Sequence, residues 1–150
     1  MAQTLVSLLV HITFSTKDRI KIIEPDVEPD FLRYISGIVR NHKSKCLAIN
    51  GAEDHIHMLV SLSKNDALSD LLKNIKKDSS SWIKTQGRAY KDFHWQEGYA
   101  AFSIGQSGVP ALRRYIAGQK EHHKRYTFQS ELLGLLERYE IEYDERYIWT

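Results

Sequence analysis

A single cysteine, three prolines and no apolar run of bilayer length set the first limits on this 150-residue chain. Cys46 alone can close no intrachain disulfide and build no cysteine-based zinc cluster, which suits a reducing compartment such as the cytoplasm. The most apolar segment near the start, Leu5 to Phe14, is too short to span a membrane and has no basic region before it, so it reads as a strand. Repeats and low-complexity tracts are missing as well, which excludes solenoids and linker-rich architectures. Neither sign of charge dominates, with a formal net of +2. What is present is ordinary globular material, 42% hydrophobic and 27% charged, in a length that suits one domain over residues 1–150.

The distribution of charge says more than its sum. Arg113, Arg114, Lys120, Lys124 and Arg125 stand against Glu121 alone. Between Lys64 and Asp92, the cations Lys64, Lys73, Lys76, Lys77, Lys84, Arg88 and Lys91 outnumber Asp66, Asp70, Asp78 and Asp92. The segment from Thr127 onward is acidic. Positive charge is thus concentrated in the middle of the chain, which fits a polyanionic partner and equally fits solvated helix faces.

Hydrophobic periodicity predicts a strand at Leu5 to Phe14 and a connection from Lys17 to Pro29. A helix through Phe31, Tyr34, Ile35, Ile38 and Val39 follows. Cys46 to Asn50 and His55 to Leu62 read as a hairpin with its turn beginning at Asn50-Gly51. A second helix, capped by Asn65 or Asp66 and weakened at Ser79-Ser80-Ser81, carries Leu68, Leu71, Leu72, Ile75, Trp82 and Ile83. A strand at Tyr99 to Ile104 precedes a third helix, starting near Pro110 and running to about Lys124, and a fourth from Gln129 to Tyr139. The order β-α-β-β-α-β plus two helices is the split βαβ pattern. It predicts an α+β, ferredoxin-like antiparallel sheet with helices on one face and a C-terminal helix.

The chemistry starts at Asp54-His55-Ile56-His57-Met58. On a strand His55 and His57 project to one face while Ile56 goes to the other, so two imidazoles stand side by side as half of a metal site. Two partly exposed histidines on a polar face would look the same. On the third helix, Tyr115 and Gln119 are four apart and share a face. If that face covers the open side of the sheet, the Gln119 carbonyl oxygen can join the His pair as a third ligand. Tyr115 can then act as a nucleophile toward a phosphodiester. Gly118 between them weakens the helix by roughly 1 kcal/mol. His123, four residues beyond Gln119, also falls on this face, to contact phosphate or shape the site.

These motifs in this order, with the intervening Trp95-Gln96-Glu97-Gly98-Tyr99-Ala100-Ala101-Phe102-Ser103, resemble the single-tyrosine HUH transposases. Those are the insertion-sequence transposases and their relatives associated with repetitive extragenic palindromes. The resemblance implies a homodimer that cuts and rejoins single-stranded DNA at DNA hairpins, using Mg²⁺ or Mn²⁺. His55, His57 and Gln119 would hold the metal, and Tyr115 would form a 5′-phosphotyrosine and leave a free 3′-hydroxyl. DNA contacts would come from Arg113, Arg114, Lys73, Lys76, Lys77, Lys84 and His123, with Trp82, Tyr90, Phe93 and Trp95 as candidates for base stacking or for the core. A metal-dependent phosphoesterase that activates water, and a non-catalytic nucleic-acid module on the same scaffold, are the competing readings.

Overall fold

Alternation along two central strands decides which side chains meet the core and which meet the site. In the computed structural model, which describes residues 2–150, strands β1 (Leu9–Ser15), β2 (Lys45–Ala52), β3 (His55–Ser61) and β4 (Ala100–Ile104) form one antiparallel sheet in the order β2-β3-β1-β4. Ile12 and Phe14 of β1, with Ile56, Met58 and Val60 of β3, point to one face. There they pack against helices α1 (Glu28–Asn41) and α2 (Leu68–Ile83) through Phe31, Ile35, Leu72 and Ile75. Each such side chain, fully withdrawn from water, stabilises the fold by about 1.5–3 kcal/mol. Trp95, Phe93 and Tyr90 are buried in this core, and Trp82 lies between Phe31 and Tyr34, its ring centroid 5.9 Å and 5.2 Å from theirs.

The opposite face is covered by the C-terminal helices. Leu9 and Leu59 meet Val109, Leu112 and Ile116 of α3 (Val109–Ala117), and the chain continues through a single turn, α4 (Gln119–His122), into α5 (Phe128–Arg138). The expected sheet with α1 and α2 on one face is therefore present, and α3 to α5 close its other side. Gly118 interrupts the third helix (φ −89°, ψ 11°), so α3 and α4 bend apart where Tyr115 and Gln119 are separated. No helix among the described residues is long and apolar enough to cross a membrane.

Three local expectations are revised. Helix α2 begins after Ala67 without a side-chain cap and runs unbroken through its serines. Ser79 is fully buried, accepts the indole N–H of Trp95 at 3.0 Å and donates back to the Lys76 carbonyl at 3.4 Å, so its hydroxyl is satisfied inside the core without breaking the helix. Asn50 and Gly51 lie within β2, and the hairpin turns at Glu53-Asp54. A Cβ at position 51 would stand 2.1 Å from the His55 carbonyl oxygen, so only glycine lets the two strands approach there. Asn50 turns outward from the hairpin, and its amide donates to the carbonyls of Ile116 and Ala117 at 3.0 and 3.2 Å. These are among the carbonyls left open at a helix end, so one side chain ties the hairpin to the end of α3.

Candidate metal centre and tyrosine site

His55 and His57 sit opposite Ser15 and Thr13 across β1, with both rings fully buried. That excludes a partly exposed polar face. Each ring has one nitrogen held from behind: Nδ1 of His55 lies 2.7 Å from Asp54 Oδ1, and Nδ1 of His57 lies 2.8 Å from Nε2 of His11. Such partners fix ring orientation and aim the remaining nitrogens forward. Burial, reinforced by the neighbouring His57, lowers the His11 pKa to about 3, and burial lowers that of His57 to about 4, so both are neutral near pH 7. Neutral imidazole is the ligand form.

In front of the rings stands Glu131, reached from α5. Its Oε1 lies 2.7 Å from His57 Nε2 and 3.1 Å from His123 Nε2, and its Oε2 accepts from the Tyr115 hydroxyl and from the Gln119 amide at 3.0 Å. A carboxylate only accepts, so His57 Nε2 carries the hydrogen here and its Nδ1 accepts from His11. Burial works against the charged form of Glu131, but donors from His123 and His57 outweigh it and hold the carboxyl well below the usual range. Tyr115 moves the other way. Half-burial, then the adjacent carboxylate, raises its phenol well above the ordinary value. His123 is raised despite its burial, because Glu131 stabilises the imidazolium.

The donor set fits a divalent cation. Ligand atoms of His55, His57, His123 and Glu131 lie within 4.8 Å of one another. Gln119 adds an independent sign. Its amide orientation is fixed by donation to Glu131, which leaves Oε1 facing His55 Nε2 at 3.0 Å. An imidazole nitrogen and an amide oxygen thus meet at one point, and nitrogen with amide and carboxylate oxygen is a set that transition metals and Mg²⁺ both accept.

The structure thus gathers Tyr115, Gln119, His55, His57 and His123 around one point, all from the same chain. His123 belongs to the ligand cluster, with Nδ1 on the Tyr126 carbonyl at 2.8 Å. The other sequence candidates lie apart. Arg113 and Arg114 are exposed on α3, Arg113 reaching the Leu47 carbonyl at 2.6 Å. Lys73, Lys77 and Lys84 are exposed on or just after α2, a helix on the far side of the sheet from the histidines. Lys76 is drawn inward, where its ammonium donates to the carbonyls of Gln96 and Gly98. Sequence reasoning missed Glu131, His11 and Asp54. For Glu131 a signal existed: Phe128, Glu131, Leu132, Leu135 and Leu136 form one helical stripe, and a lone carboxylate in an apolar stripe has a reason to be buried.

A family model described as IS200-like transposase matches residues 4–119, from before β1 through Gln119. The chain belongs to this transposase family. The transposase shares its fold with a candidate transposase from Deinococcus radiodurans R1, at TM-score 0.63 and 16% identity over 79% of this chain and 95% of the other. It also resembles a REP-associated tyrosine transposase solved with a REP hairpin, at TM-score 0.61 and 16% identity over 82% of this chain and 73% of that one. No curated protein shows a significant match. The family match ends at Gln119, so His123, Glu131 and all of α5 lie beyond it in this transposase.

Proposed function

We propose that this transposase cuts and rejoins single-stranded DNA through a covalent 5′-phosphotyrosine at Tyr115, with residues 1–150 acting as one HUH tyrosine transposase domain. The observation that carries the reading is the contact of the Tyr115 hydroxyl with a carboxylate that also touches His57 and His123. His55, His57 and Gln119 would hold Mg²⁺ or Mn²⁺, with His123 and Glu131 completing the set. When bound, the ion supplies Lewis-acid polarisation of the scissile phosphate.

The chain's own groups do the rest. Tyr115 Oη attacks phosphorus, the bond to the 3′-oxygen breaks, and that oxygen takes up a proton from solvent to leave as the 3′-hydroxyl. Glu131 Oε2, already the acceptor of the phenolic hydrogen, receives the proton that Tyr115 gives up and, as a weak base, passes it on to solvent. Phosphorus stays esterified to Tyr115, so another 3′-hydroxyl can reverse the step without ATP. Arg113 and Arg114 flank the nucleophile in sequence and are assigned to phosphate. The exposed lysines Lys73, Lys77 and Lys84 are assigned to the duplex part of a hairpin, a partner supported by the hairpin bound to the REP-associated neighbour. Assembly as a homodimer rests on the family resemblance.

Incubation with labelled single-stranded hairpin DNA and Mn²⁺, followed by denaturing electrophoresis, should give a protein–DNA adduct that Tyr115→Phe abolishes. An adduct that persists in this variant removes Tyr115 from its role. Turnover without adduct identifies a phosphoesterase, and binding without cleavage an inert module. His57→Ala should lose cleavage while retaining hairpin binding.

A further inference from the structure

A cavity of about 630 Å³ lies beside the metal centre. It is walled by the β2–β3 turn at Glu53-Asp54, by residues 18–25 and by the stretch from Lys120 to Gln129 that leads through α4 into α5. Three of the residues lining it also belong to the site. Asp54 holds Nδ1 of His55, His123 contacts Glu131, and the Phe128 ring centroid is 4.8 Å from that of His55. The volume falls in the usual range for ligand pockets, about 300–1,000 Å³, which covers a nucleotide. The family match ends at Gln119, so the wall from Lys120 onward lies outside it.

Tyr126 on that wall is an aromatic ring with one face taken and one face free. It is 55% exposed, and the His122 ring stacks on it at 5.0 Å between centroids and 28° between planes. The exposed area therefore belongs to the other face and the hydroxyl edge. His122 lies in turn 5.6 Å from the Tyr115 ring, so a single imidazole separates Tyr126 from the tyrosine of the site. That is close enough for the nucleotide next to a phosphate on Tyr115 to reach it. The position is rigid. The Tyr126 carbonyl accepts from His123 Nδ1 at 2.8 Å, its N–H donates to the His122 carbonyl at 3.1 Å, and the next residue, Thr127, caps α5 by accepting the Ser130 N–H at 3.1 Å.

Charge along the same wall suits a polyanion. Lys124 and Arg125, both exposed, immediately precede Tyr126. Lys124 pairs with Glu121 at 2.8 Å on the surface, a contact that is weak and easily exchanged. Arg125 stands in no ion pair among the described residues. Two of the acids that line the cavity are already engaged, Glu28 by Lys120 at 2.5 Å and Asp54 by His55 at 2.7 Å. The exposed acids, Asp18 and Glu53, come from the two other walls, which directs the backbone of a strand to the Lys124-Arg125 side.

We propose that this cavity is a groove for the unpaired DNA strand beside the phosphate that reaches Tyr115, with one base stacked on the free face of Tyr126 and Arg125 on the adjoining phosphate. Stacking accepts any base, so the groove positions the strand without selecting its sequence. This inference rests on the single-strand reading above and gives the strand a path.

The test is cross-linking without chemistry. Tyr115→Phe in the full chain, with Mn²⁺ present, is titrated with a fluorescein-labelled 12-mer oligodeoxythymidylate carrying 5-iododeoxyuridine at its central positions, then irradiated and digested for mass spectrometry. The cross-link should fall on Tyr126. In the same background Tyr126→Leu should remove it and weaken binding about tenfold, whereas Tyr126→Phe, which keeps the ring, should do neither. Arg125→Ala should weaken binding and reduce the slope of its salt dependence by about one. A cross-link confined to other segments, or an affinity unchanged in Tyr126→Leu, overturns the groove. So does failure of the 12-mer to bind. In each case the adduct experiment on hairpin DNA still decides the role of Tyr115 by itself.

Discussion

Glu131 brings together groups that the sequence keeps far apart. His57 is 74 residues away and Tyr115 is 16. Glu131→Gln keeps an oxygen to accept from the surrounding donors and loses the charge and the basicity. It should melt within a few degrees of the wild type while slowing single-turnover adduct formation about 100-fold, the usual scale for removal of a proton acceptor. Adduct formation at the wild-type rate would take Glu131 out of the proton transfer. At this scale the sequence was half legible. His55 and His57 could be read because strand alternation is local, and Tyr115 and Gln119 because helical spacing is local. Glu131, His11 and Asp54 required knowledge of how α5 and β1 are laid against β3, which no local period encodes. His11 carried a faint mark, an imidazole inside the apolar run of the first strand.

Among the elements, the β2–β3 hairpin and the bent α3–α4 pair do the positioning. The hairpin was legible, but its turn was misplaced. Asn50-Gly51 has turn composition, yet Gly51 is needed for strand contact and Asn50 for the end of α3. Gly51→Ala should therefore do more than an ordinary strand substitution. The new Cβ would force the backbone of His55 away, costing about 2 kcal/mol or more, on the scale of overpacked cores. At this chain length each kcal/mol lowers the melting temperature by about 2–4 °C. Because the displaced residue is a candidate ligand, Mn²⁺ affinity by calorimetry should fall along with stability. A variant that loses stability and keeps wild-type affinity would separate the hairpin's approach from the site. The interruption at Gly118 was foreseen in kind from helix propensity. The unbroken α2 was not, because the partner of Ser79 is an indole 16 residues away.

At the scale of the whole molecule, the sheet separates two faces with different tasks. The catalytic candidates occupy one, and Lys73 and Lys77 on α2, with Lys84 just after it, lie on the other. Charge reversal of these three lysines to glutamate should weaken binding of a labelled DNA hairpin at least tenfold at low salt and flatten its salt dependence. Adduct formation on a short unpaired strand should continue. Equal loss of both would mean that the two faces do not divide the DNA between them. Metal should report on the fold as a whole: at a concentration 100 times its dissociation constant, Mn²⁺ would add about 2.7 kcal/mol of stability. The rise in melting temperature should be absent in His57→Ala. Glu131 also carries a consequence for control. Its negative carboxylate already sits against Tyr115, and a DNA phosphate bound there would bring a second negative charge into the same few ångströms. The two are compatible only with a cation between them. If Tyr115 acts as proposed, the site would work as a coincidence gate, with the tyrosine held in check until ion and strand arrive together.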